Sequence, residues 1–369
     1  MKAKRIIALL LSLVFVFTML GACGSTSDDT ADTATDAAED TADSSSDGVD
    51  YGEYSADNPL EITLSHFVAS ETNQIHLLAA AFKEKVEEAT GGAVIVNIVM
   101  GGQLGNDEES LQSVMAGTLD MAVNNTPIMS TYYEKFQILD LPYLFEDYDQ
   151  IYAFLESDIC QTLMDEFAEA TGARMLCMQC VGFRNLESSK GIVTSVDDIS
   201  GLKTRCTSSN VYISTWEAWG ANVQTIASSE MNSAISQGVI DACDNVNNVA
   251  YSNAYYEYCP YISIMEYAAH FNGLTISEEL YQSLTEDLQE AISTAALEAA
   301  AERTAALEAE DDEYIENMVN NDVGVEVTVY YLTDDEKAAL REAAQSVYDD
   351  FIETYDAQDD VDAILALAD

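Results

Sequence analysis

Apolar and polar positions follow two spacings along this chain, and together they predict alternating strands and helices. Short apolar runs alternate with segments that carry an apolar residue every three or four positions, which are typical of strands and amphipathic helices respectively. The first predicted elements are a strand at 60–64, a helix at 73–90, a strand at 94–99, a helix with Leu111, Val114 and Met115 facing inward, and a strand at 121–123. This order predicts a parallel sheet covered by helices, an α/β fold.

A second region continues in the same style without visible repetition of sequence. A buried strand is predicted at 174–181, followed by a helix start at 195–198, a strand at 202–206, helices at 212–219 and 230–237, and a strand at 239–243. The folded part, 59–369, exceeds the smallest single-core domains and suits two lobes. We expect lobe I to contain about 59–181 and 271–310, and lobe II about 182–270 and 311–369.

The segment 285–319 predicts one long helix, because it lacks Pro and Gly and is rich in Ala, Glu and Leu. Its apolar residues do not keep a heptad, so a helix spanning both lobes explains the segment better than a coiled coil does. Alternating valines predict a strand at 323–329, and the segment 333–336 reads as a capping box that opens a terminal helix.

The amino-terminal residues 1–22 read as an export signal. Lys2, Lys4 and Arg5 precede an apolar run at 6–20, which is short for a membrane span and fits a secretory signal. Small residues then lead into Cys23, as in a bacterial lipobox, so we expect cleavage before Cys23 and acylation of its thiol. The alternative is an ordinary signal peptide that is cut nearby, with Cys23 incidental.

Residues 23–58 predict a disordered tether behind that lipid anchor. After Cys23 the segment consists mainly of Asp, Thr, Ala, Ser and Gly, and it has too few bulky apolar residues to offset its conformational entropy. A tether of this kind would hold a folded, extracytoplasmic domain next to the cell membrane.

Charge excludes one class of partner and limits another. The chain has 66 acidic and 14 basic residues and a net charge of −52, so nucleic acid, which requires clustered Lys and Arg, is not an expected partner. An anionic ligand could bind only where one of the few arginines is placed to receive it.

The cysteines do not resemble a disulfide scaffold or a zinc site. Six follow Cys23, at 160, 177, 180, 206, 243 and 259, in a chain that also has only three histidines. The pair Cys177 and Cys180 has a spacing that zinc and redox sites use, but no second such pair is present. We interpret the six as free core thiols rather than disulfides, and we predict no metal and no cofactor.

Catalytic motifs are missing from the sequence. It contains no GxSxG, P-loop, HExxH or GxGxxG pattern. A catalytic pair of carboxylates remains open in so acidic a chain, but no pair is singled out, and we expect a binding protein rather than an enzyme.

A series of short segments resembles the solute-binding subunits of TRAP transporters (tripartite ATP-independent periplasmic transporters). In chain order they are EATGG at 88–92, GQLG at 102–105, GTLD at 117–120, LPYLF at 141–145, GFRN at 182–185, DISGLKTR at 198–205, WGA at 219–221 and QGVID at 237–241. The resemblance implies a two-lobed, periplasmic-binding-protein-like fold with crossing strands, a long helix spanning both lobes and a ligand cleft. It also implies a monomer that works with the membrane subunits of such a transporter.

Two arginines are the main site candidates that the resemblance implies. Arg205 ends the GLKTR segment, where the family's arginine forms a two-pronged ion pair with the ligand carboxylate, and a planar guanidinium suits that geometry. Arg184, in the GFRN segment, matches a second arginine of the same pocket. The alternative is that both arginines pair with acids of the protein itself.

Polar residues near these arginines complete the predicted pocket. Asn245 matches a ligand-contacting asparagine of the family, although Val246 replaces the family's following proline. Asn125, Asn185 and Asp107 are further candidates, each with a loop-capping role as the alternative. Ser228 and Asn232 stand where family members often carry aromatic residues. We interpret Trp216, Trp219 and the tyrosines of 251–261 as packing residues.

The predicted ligand is a small organic acid. Three asparagines beside two arginines suit several hydroxyl groups and one carboxylate, which favours a sugar acid such as a uronate over a dicarboxylate or keto acid. The alternative function is a sensor module that presents the acid to a membrane receptor.

Overall fold

The computed structural model describes residues 49–226 and 230–368. The predicted signal segment 1–22, Cys23, the tether as far as residue 48 and Ser228 lie outside the described residues. The described strands are, in chain order, β1 (Leu60–Ser65), β2 (Val94–Val99), β3 (Met121–Asn125), β4 (Ala173–Ser188), β5 (Lys203–Cys206), β6 (Asn222–Thr225), β7 (Ala242–Val246), β8 (Tyr261–Ile264), β9 (Ala269–Ser277) and β10 (Thr328–Tyr331).

The described helices surround these strands. In chain order they are α1 (Gln74–Ala89), α2 (Asp107–Met115), α3 (Thr126–Met129), α4 (Tyr148–Leu155), α5 (Asp158–Thr171), α6 (Val196–Ile199), α7 (Asn210–Ala218), α8 (Met231–Ser236), α9 (Asn247–Ser252), α10 (Glu278–Ser283), α11 (Glu286–Val319), α12 (Asp334–Ala343), α13 (Gln345–Tyr355) and α14 (Gln358–Leu365). Short 3₁₀ helices occupy Glu134–Asp140, Tyr255–Glu257 and Ala366–Ala368. None of the described helices combines the length and the apolar character that crossing a membrane requires.

Two groups of parallel strands are joined through β4 and β9. The strand order is β2-β1-β3-β9-β4-β7-β5-β6, with β8 on β4 and β10 on β8. β1 is parallel to β2 and β3, and β5 is parallel to β6 and β7, as the sequence predicts within each group. β4 and β9 run antiparallel to each other and to the strands beside them. The sheet is therefore mixed rather than parallel throughout, and the fold is the expected two-lobed α/β arrangement.

The long helix is present as predicted. α11 has 34 residues, about 51 Å at 1.5 Å per residue, and the side chain of Thr285 caps its first turn. Its first half places Leu288 and Ile292 in the core beneath β1 and β2. Its last turns place Ile315 and Met318 in a second core beneath β7 and β8. One helix thus contributes to the cores of both lobes.

Two predicted strands begin later than expected, and in both cases local hydrogen bonds explain the delay. The backbone N–H groups of Gly238 and Val239 bond back to carbonyls of α8, so the following strand, β7, begins at Ala242. The side chain of Asn321 binds both the N–H and the carbonyl of Val325. That backbone is therefore unavailable to a sheet, and β10 begins at Thr328.

Core packing agrees with the interpretation of the cysteines and tryptophans. The six cysteines of the described residues are free and buried. Burial alone raises the pKa of Cys160 to about 12, which makes its thiol inert at neutral pH. Trp216 and Trp219 are fully buried, and the indole N–H of Trp219 donates to the carbonyl of Leu340 at 2.8 Å. Both tryptophans are packing residues.

Candidate functional site

Strand ends from the two lobes approach each other over the middle of β4 and β9. Asn125, at the end of β3, is the Cα partner of Asn272 on β9. Val246, at the end of β7, is the partner of Arg184 on β4, and β5 ends beside β7. Ligands of open α/β sheets bind outside the carboxyl ends of the strands. We therefore take the region between these ends, here called the cleft, as the candidate site.

Arg184 is buried at the cleft and is engaged by the protein itself. Its Nε donates to Oδ2 of Asp244 at 2.8 Å, and its Nη2 donates to the backbone carbonyl of the same residue at 2.8 Å. The guanidinium also lies over the ring of Tyr212, 4.9 Å from its centroid. Burial alone would lower the pKa of Arg184, but the charge and hydrogen bond of Asp244, together with the neighbouring Tyr267 and Tyr212, outweigh burial and hold the pKa well above its ordinary value.

Asp244 is the buried acid that neutralises Arg184. Its carboxylate is fully buried and also accepts a hydrogen bond from the hydroxyl of Tyr267. That hydroxyl in turn accepts from the indole N–H of Trp216 at 3.2 Å. The ion pair between Arg184 and Asp244 is thus fixed by hydrogen bonds to the surrounding core.

His270 connects this ion pair to the first lobe. Burial, with the charges of Arg184 and Arg205, lowers the pKa of His270 well below its ordinary value, so the ring is neutral. Nδ1 lies 3.3 Å from Nη1 of Arg184, and because arginine can only donate, Nδ1 accepts. The proton is therefore on Nε2, which donates to Oδ1 of Asn125 at 3.3 Å.

Asp107, at the start of α2, is the last residue in this series of hydrogen bonds. One carboxylate oxygen accepts from Nδ2 of Asn125 at 2.7 Å, and the other accepts from Nδ2 of Asn124 at 2.8 Å. Burial raises the pKa of Asp107 to about 6, although the two amide donors oppose the shift. A continuous hydrogen-bonded chain, here called the polar chain, thus runs between the lobes through Asp244, Arg184, His270, Asn125 and Asp107.

Arg205, at the end of β5, has a different environment. It is 6% exposed, and its Nε donates to the backbone carbonyl of Ile226 at 2.9 Å. Among residues 49–226 and 230–368, no carboxylate lies within 4.0 Å of its guanidinium, and neither terminal nitrogen has a hydrogen-bond partner. The two nitrogens that could form a forked contact with a carboxylate are therefore not used by the described part of the protein.

Asn245 adds an unused donor on the same face of the sheet. Arg205 is the Cα partner of Cys243 on β7, and Asn245 is two residues further along that strand, so its side chain points to the same face as that of Arg205. Asn245 is buried, and its Nδ2 has no hydrogen-bond partner in the described chain. Most buried donors are paired, so this one marks a position for an acceptor.

Asn185 is occupied by the protein. Its Nδ2 donates to Oδ1 of Asn247 at 3.1 Å and to the carbonyl of Phe183 at 3.3 Å. Its Oδ1 accepts from the backbone N–H of Glu266 at 2.9 Å. The structure thus joins Arg184, Asn125 and Asp107 in the polar chain, leaves donors of Arg205 and Asn245 open, and uses Asn185 to fix two loops.

Two members of the polar chain, His270 and Asp244, are not among the residues singled out from the sequence. Each had a signal: His270 is one of three histidines in the chain, and Asp244 is an acid within a short apolar strand. A charged or titratable residue in an apolar strand requires a partner, but the sequence does not reveal which one.

Metal ligands do not gather at the cleft or elsewhere in the described residues. No three His, Cys, Asp or Glu side chains there are placed to hold an ion. The remaining two histidines contact each other, with Nε2 of His66 3.1 Å from Nδ1 of His76. Burial, together with His76, lowers the pKa of His66 to about 4.

Comparison with known proteins gives a family match and several relatives. The family model described as bacterial extracellular solute-binding protein, family 7, matches residues 64–354. The C4-dicarboxylate-binding periplasmic protein DctP of Rhodobacter capsulatus is 27% identical over 304 residues, which cover 81% of this chain and 89% of that protein. The 2,3-diketo-L-gulonate-binding periplasmic protein YiaO of Escherichia coli is 24% identical over 277 residues, covering 75% and 82%.

A solved structure has the same fold. The TRAP periplasmic solute-binding protein of Chromohalobacter salexigens, with bound D-glucuronate, superimposes with a TM-score of 0.75 at 24% identity. The match covers 83% of this chain and 98% of that one. The two-lobed arrangement of β4, β9 and α11 is therefore shared with a protein that has been solved with a sugar acid.

Proposed function

This chain belongs to family 7 of the bacterial extracellular solute-binding proteins, which serve TRAP transporters, and we propose that it captures a sugar acid through contact between the acid's carboxylate and Arg205. As an extracytoplasmic binding protein it passes its ligand to the membrane subunits of the transporter. Arg205, Asn245 and the polar chain would form the pocket.

The observation that carries the proposal is the unpaired charge of Arg205. The chain contains 66 acidic residues, yet none of the described ones pairs with this guanidinium, although the residue is only 6% exposed. A buried charge without a partner is unfavourable, so the arrangement is best explained if a ligand supplies the anion. A carboxylate fits because it can accept two parallel hydrogen bonds from the terminal nitrogens.

The polar groups around Arg205 support a hydroxylated acid. Asn245 offers a buried donor, and the amide of Asn125 is held in a fixed orientation by His270 and Asp107. A ligand without hydroxyls leaves the Nδ2 of Asn245 unpaired, whereas a hydroxyl can accept from it and can also donate to the second lone pair of the Oδ1 of Asn125. Relatives named for diketogulonate and solved with glucuronate agree with a sugar acid, whereas the DctP relative is named for dicarboxylates.

Membrane attachment through Cys23 and a monomeric state are part of the same proposal. The lipobox-like order of residues before Cys23 supports acylation, which would keep the protein next to its transporter. Expression of the full chain with Cys23→Ser should release the protein from the membrane fraction. Sedimentation should give one copy of the chain per particle, and a stable dimer would contradict the monomer.

The test of the ligand site compares Arg205→Ala with Lys203→Ala. Lys203 lies two residues away on β5, is exposed, and its loss changes the net charge equally. We expect the parent to bind D-glucuronate or D-galacturonate in calorimetry more tightly than succinate or pyruvate. Arg205→Ala should weaken binding of the sugar acid by ~2–5 kcal/mol, which is roughly 30-fold to several-thousand-fold in Kd.

Lys203→Ala should bind like the parent. Equal affinities of Arg205→Ala and the parent, with both variants folded, would contradict the assignment of Arg205. Tighter binding of succinate than of every sugar acid would instead leave the assignment of Arg205 standing, but it would contradict a sugar acid as the ligand.

A further inference from the structure

Beside the cleft, four polar side chains meet between β4, β9, α1 and α11. Nε2 of Gln179 donates to Oε1 of Gln74 at 3.4 Å, and Nη2 of Arg303 donates to the same oxygen at 3.2 Å. Asn272 is the Cα partner of Gln179 in the adjacent strand. Gln74, Gln179 and Asn272 are each at most 2% exposed, and Arg303 is half-buried.

Four atoms of this cluster lack partners. Within the described part of the chain, Nε2 of Gln74, Oε1 of Gln179, Oδ1 of Asn272 and Nε of Arg303 are buried and form no hydrogen bond. Reversing the amide of Gln179 or Asn272 only exchanges an unpaired oxygen for an unpaired nitrogen. Reversing the amide of Gln74 would turn its nitrogen toward the donors of Gln179 and Arg303. Buried polar atoms are rarely left unpaired, so four in one cluster indicate a place for a polar group from outside the protein.

Strand register places the cluster next to the polar chain. Asn272 pairs with Gln179 on one side and with Asn125 on the other, so all three side chains lie in one row on the same face of the sheet. His270 lies two residues from Asn272 on β9 and therefore points to that face, about 7 Å along the strand. The row thus leads from the polar chain directly to the cluster.

The atoms left open determine what the cluster can bind. Two are amide oxygens, which require a donor, and two are nitrogens, of Gln74 and Arg303, which require an acceptor. A hydroxyl satisfies both, because it donates one hydrogen bond and accepts others. A carboxylate only accepts and would leave the two amide oxygens unpaired, whereas an ammonium group only donates and would face the charge of Arg303.

We propose that Gln179, Asn272 and Arg303 form a second subsite, which holds hydroxyl groups of the sugar acid remote from its carboxylate. The inference rests on the proposed capture of a sugar acid at Arg205. With this subsite, the protein would hold the ligand at both ends, so that it selects the length and the hydroxylation of the ligand together.

The test measures coupling between this subsite and individual ligand hydroxyls. Calorimetry would compare the parent, Arg303→Met, Gln179→Met and the surface control Lys203→Met, each with D-glucuronate and with its single-deoxy analogues. We expect Arg303→Met and Gln179→Met to lose about 10-fold to 100-fold in affinity for D-glucuronate. For the analogue that lacks the contacting hydroxyl, the same variants should bind within about threefold of the parent, because that hydrogen bond is already missing.

Other results overturn the inference in distinguishable ways. Equal losses for D-glucuronate and for every deoxy analogue, or no loss at all, would mean that the cluster supports the fold or holds only water, while the proposed function stands. A parent that binds no sugar acid in the set would overturn both proposals. Gln179 lies inside β4, so if Gln179→Met fails to fold, Arg303→Met, on the half-buried side of α11, carries the test alone.

Discussion

Arg184 and Arg205 are both buried arginines beside the cleft, but the protein uses them in opposite ways. The guanidinium of Arg184 forms hydrogen bonds with Asp244 and contacts His270, whereas that of Arg205 forms a single described bond, to a backbone carbonyl. Similar position and burial therefore do not imply a similar role. The partners already present decide whether an arginine supports the fold or receives a ligand.

The difference has an energetic basis. Removing one member of a buried, hydrogen-bonded ion pair leaves an uncompensated charge, whereas removing a group that has no charged partner leaves none. Arg184 should therefore matter most to folding and Arg205 most to binding, and the variants below separate these roles in order of decreasing effect.

The largest effect is expected for Arg184→Ala. The variant leaves Asp244 buried and unpaired, so the free energy of unfolding should fall by ~3–5 kcal/mol. The matched control is Arg174→Ala, at the other end of β4, where a partly exposed pair with Glu278 should contribute only about 1 kcal/mol or less. Urea unfolding measures both, and equal losses would remove the distinction between a buried and an exposed pair.

The pH dependence of Asp107 gives the next effect. Its pKa is raised to about 6, so the folded state holds the proton more tightly than the unfolded state does. The contribution to stability is therefore complete below about pH 4 and is lost as the pH rises to about 6. As the pH rises across this range, the free energy of unfolding of Asp107→Asn should increase relative to that of the parent. The increase should be at most roughly 2–3 kcal/mol, because partial exposure weakens the pKa shift.

The difference between the two unfolding curves isolates Asp107, because burial also raises the pKa values of Asp140 and Asp311 to about 6 and these groups titrate in both proteins. Glu353→Gln, which removes an exposed carboxylate on α13, controls for the loss of negative charge. A difference curve that is flat between pH 4 and pH 6.5 would contradict a half-buried, protonatable carboxyl at the end of the polar chain.

A smaller effect is expected for Asn245→Ala. Loss of one neutral hydrogen bond to the ligand should weaken binding by about 0.5–1.5 kcal/mol, which calorimetry with D-glucuronate measures. Stability without ligand should change little, because the Nδ2 of Asn245 has no partner in the described chain. A large loss of stability with unchanged affinity would show that Asn245 supports the fold and does not contact the ligand.

The smallest effect is expected for the unfolding of Arg205→Met. Methionine preserves much of the apolar stem and removes a charge that has no described carboxylate partner, so the free energy of unfolding should change by less than about 1 kcal/mol. A loss as large as that of Arg184→Ala would show that Arg205 also supports the fold, and it would contradict the distinction between the two arginines.

Local patterns made much of the fold predictable. The strand at 94–99 coincides with β2, and the segment without Pro or Gly became α11, because both depend on residues close in sequence. The capping box at Thr333 and Glu336 formed at the start of α12 for the same reason. The late start of β10 was not predictable, because it depends on a side chain, Asn321, that competes for the strand's backbone.

The site was less predictable, because its organisation depends on register between distant strands. The motif around Arg205 made that arginine a candidate, but only the pairing of β4 with β7 places Asp244 beside Arg184. Likewise His270, 86 residues after Arg184, enters the polar chain only through the crossing of β9 and β4. Asn185 was a reasonable candidate by composition, yet the structure gives its amide to Asn247 and Glu266.

The most direct measurement is a crystal structure of the protein with bound D-glucuronate or D-galacturonate. The ligand's carboxylate should lie within hydrogen-bond distance of both terminal nitrogens of Arg205, with Arg184 still bonded to Asp244. A carboxylate bound elsewhere, with Arg205 paired to an acid of the protein itself, would contradict the central claim.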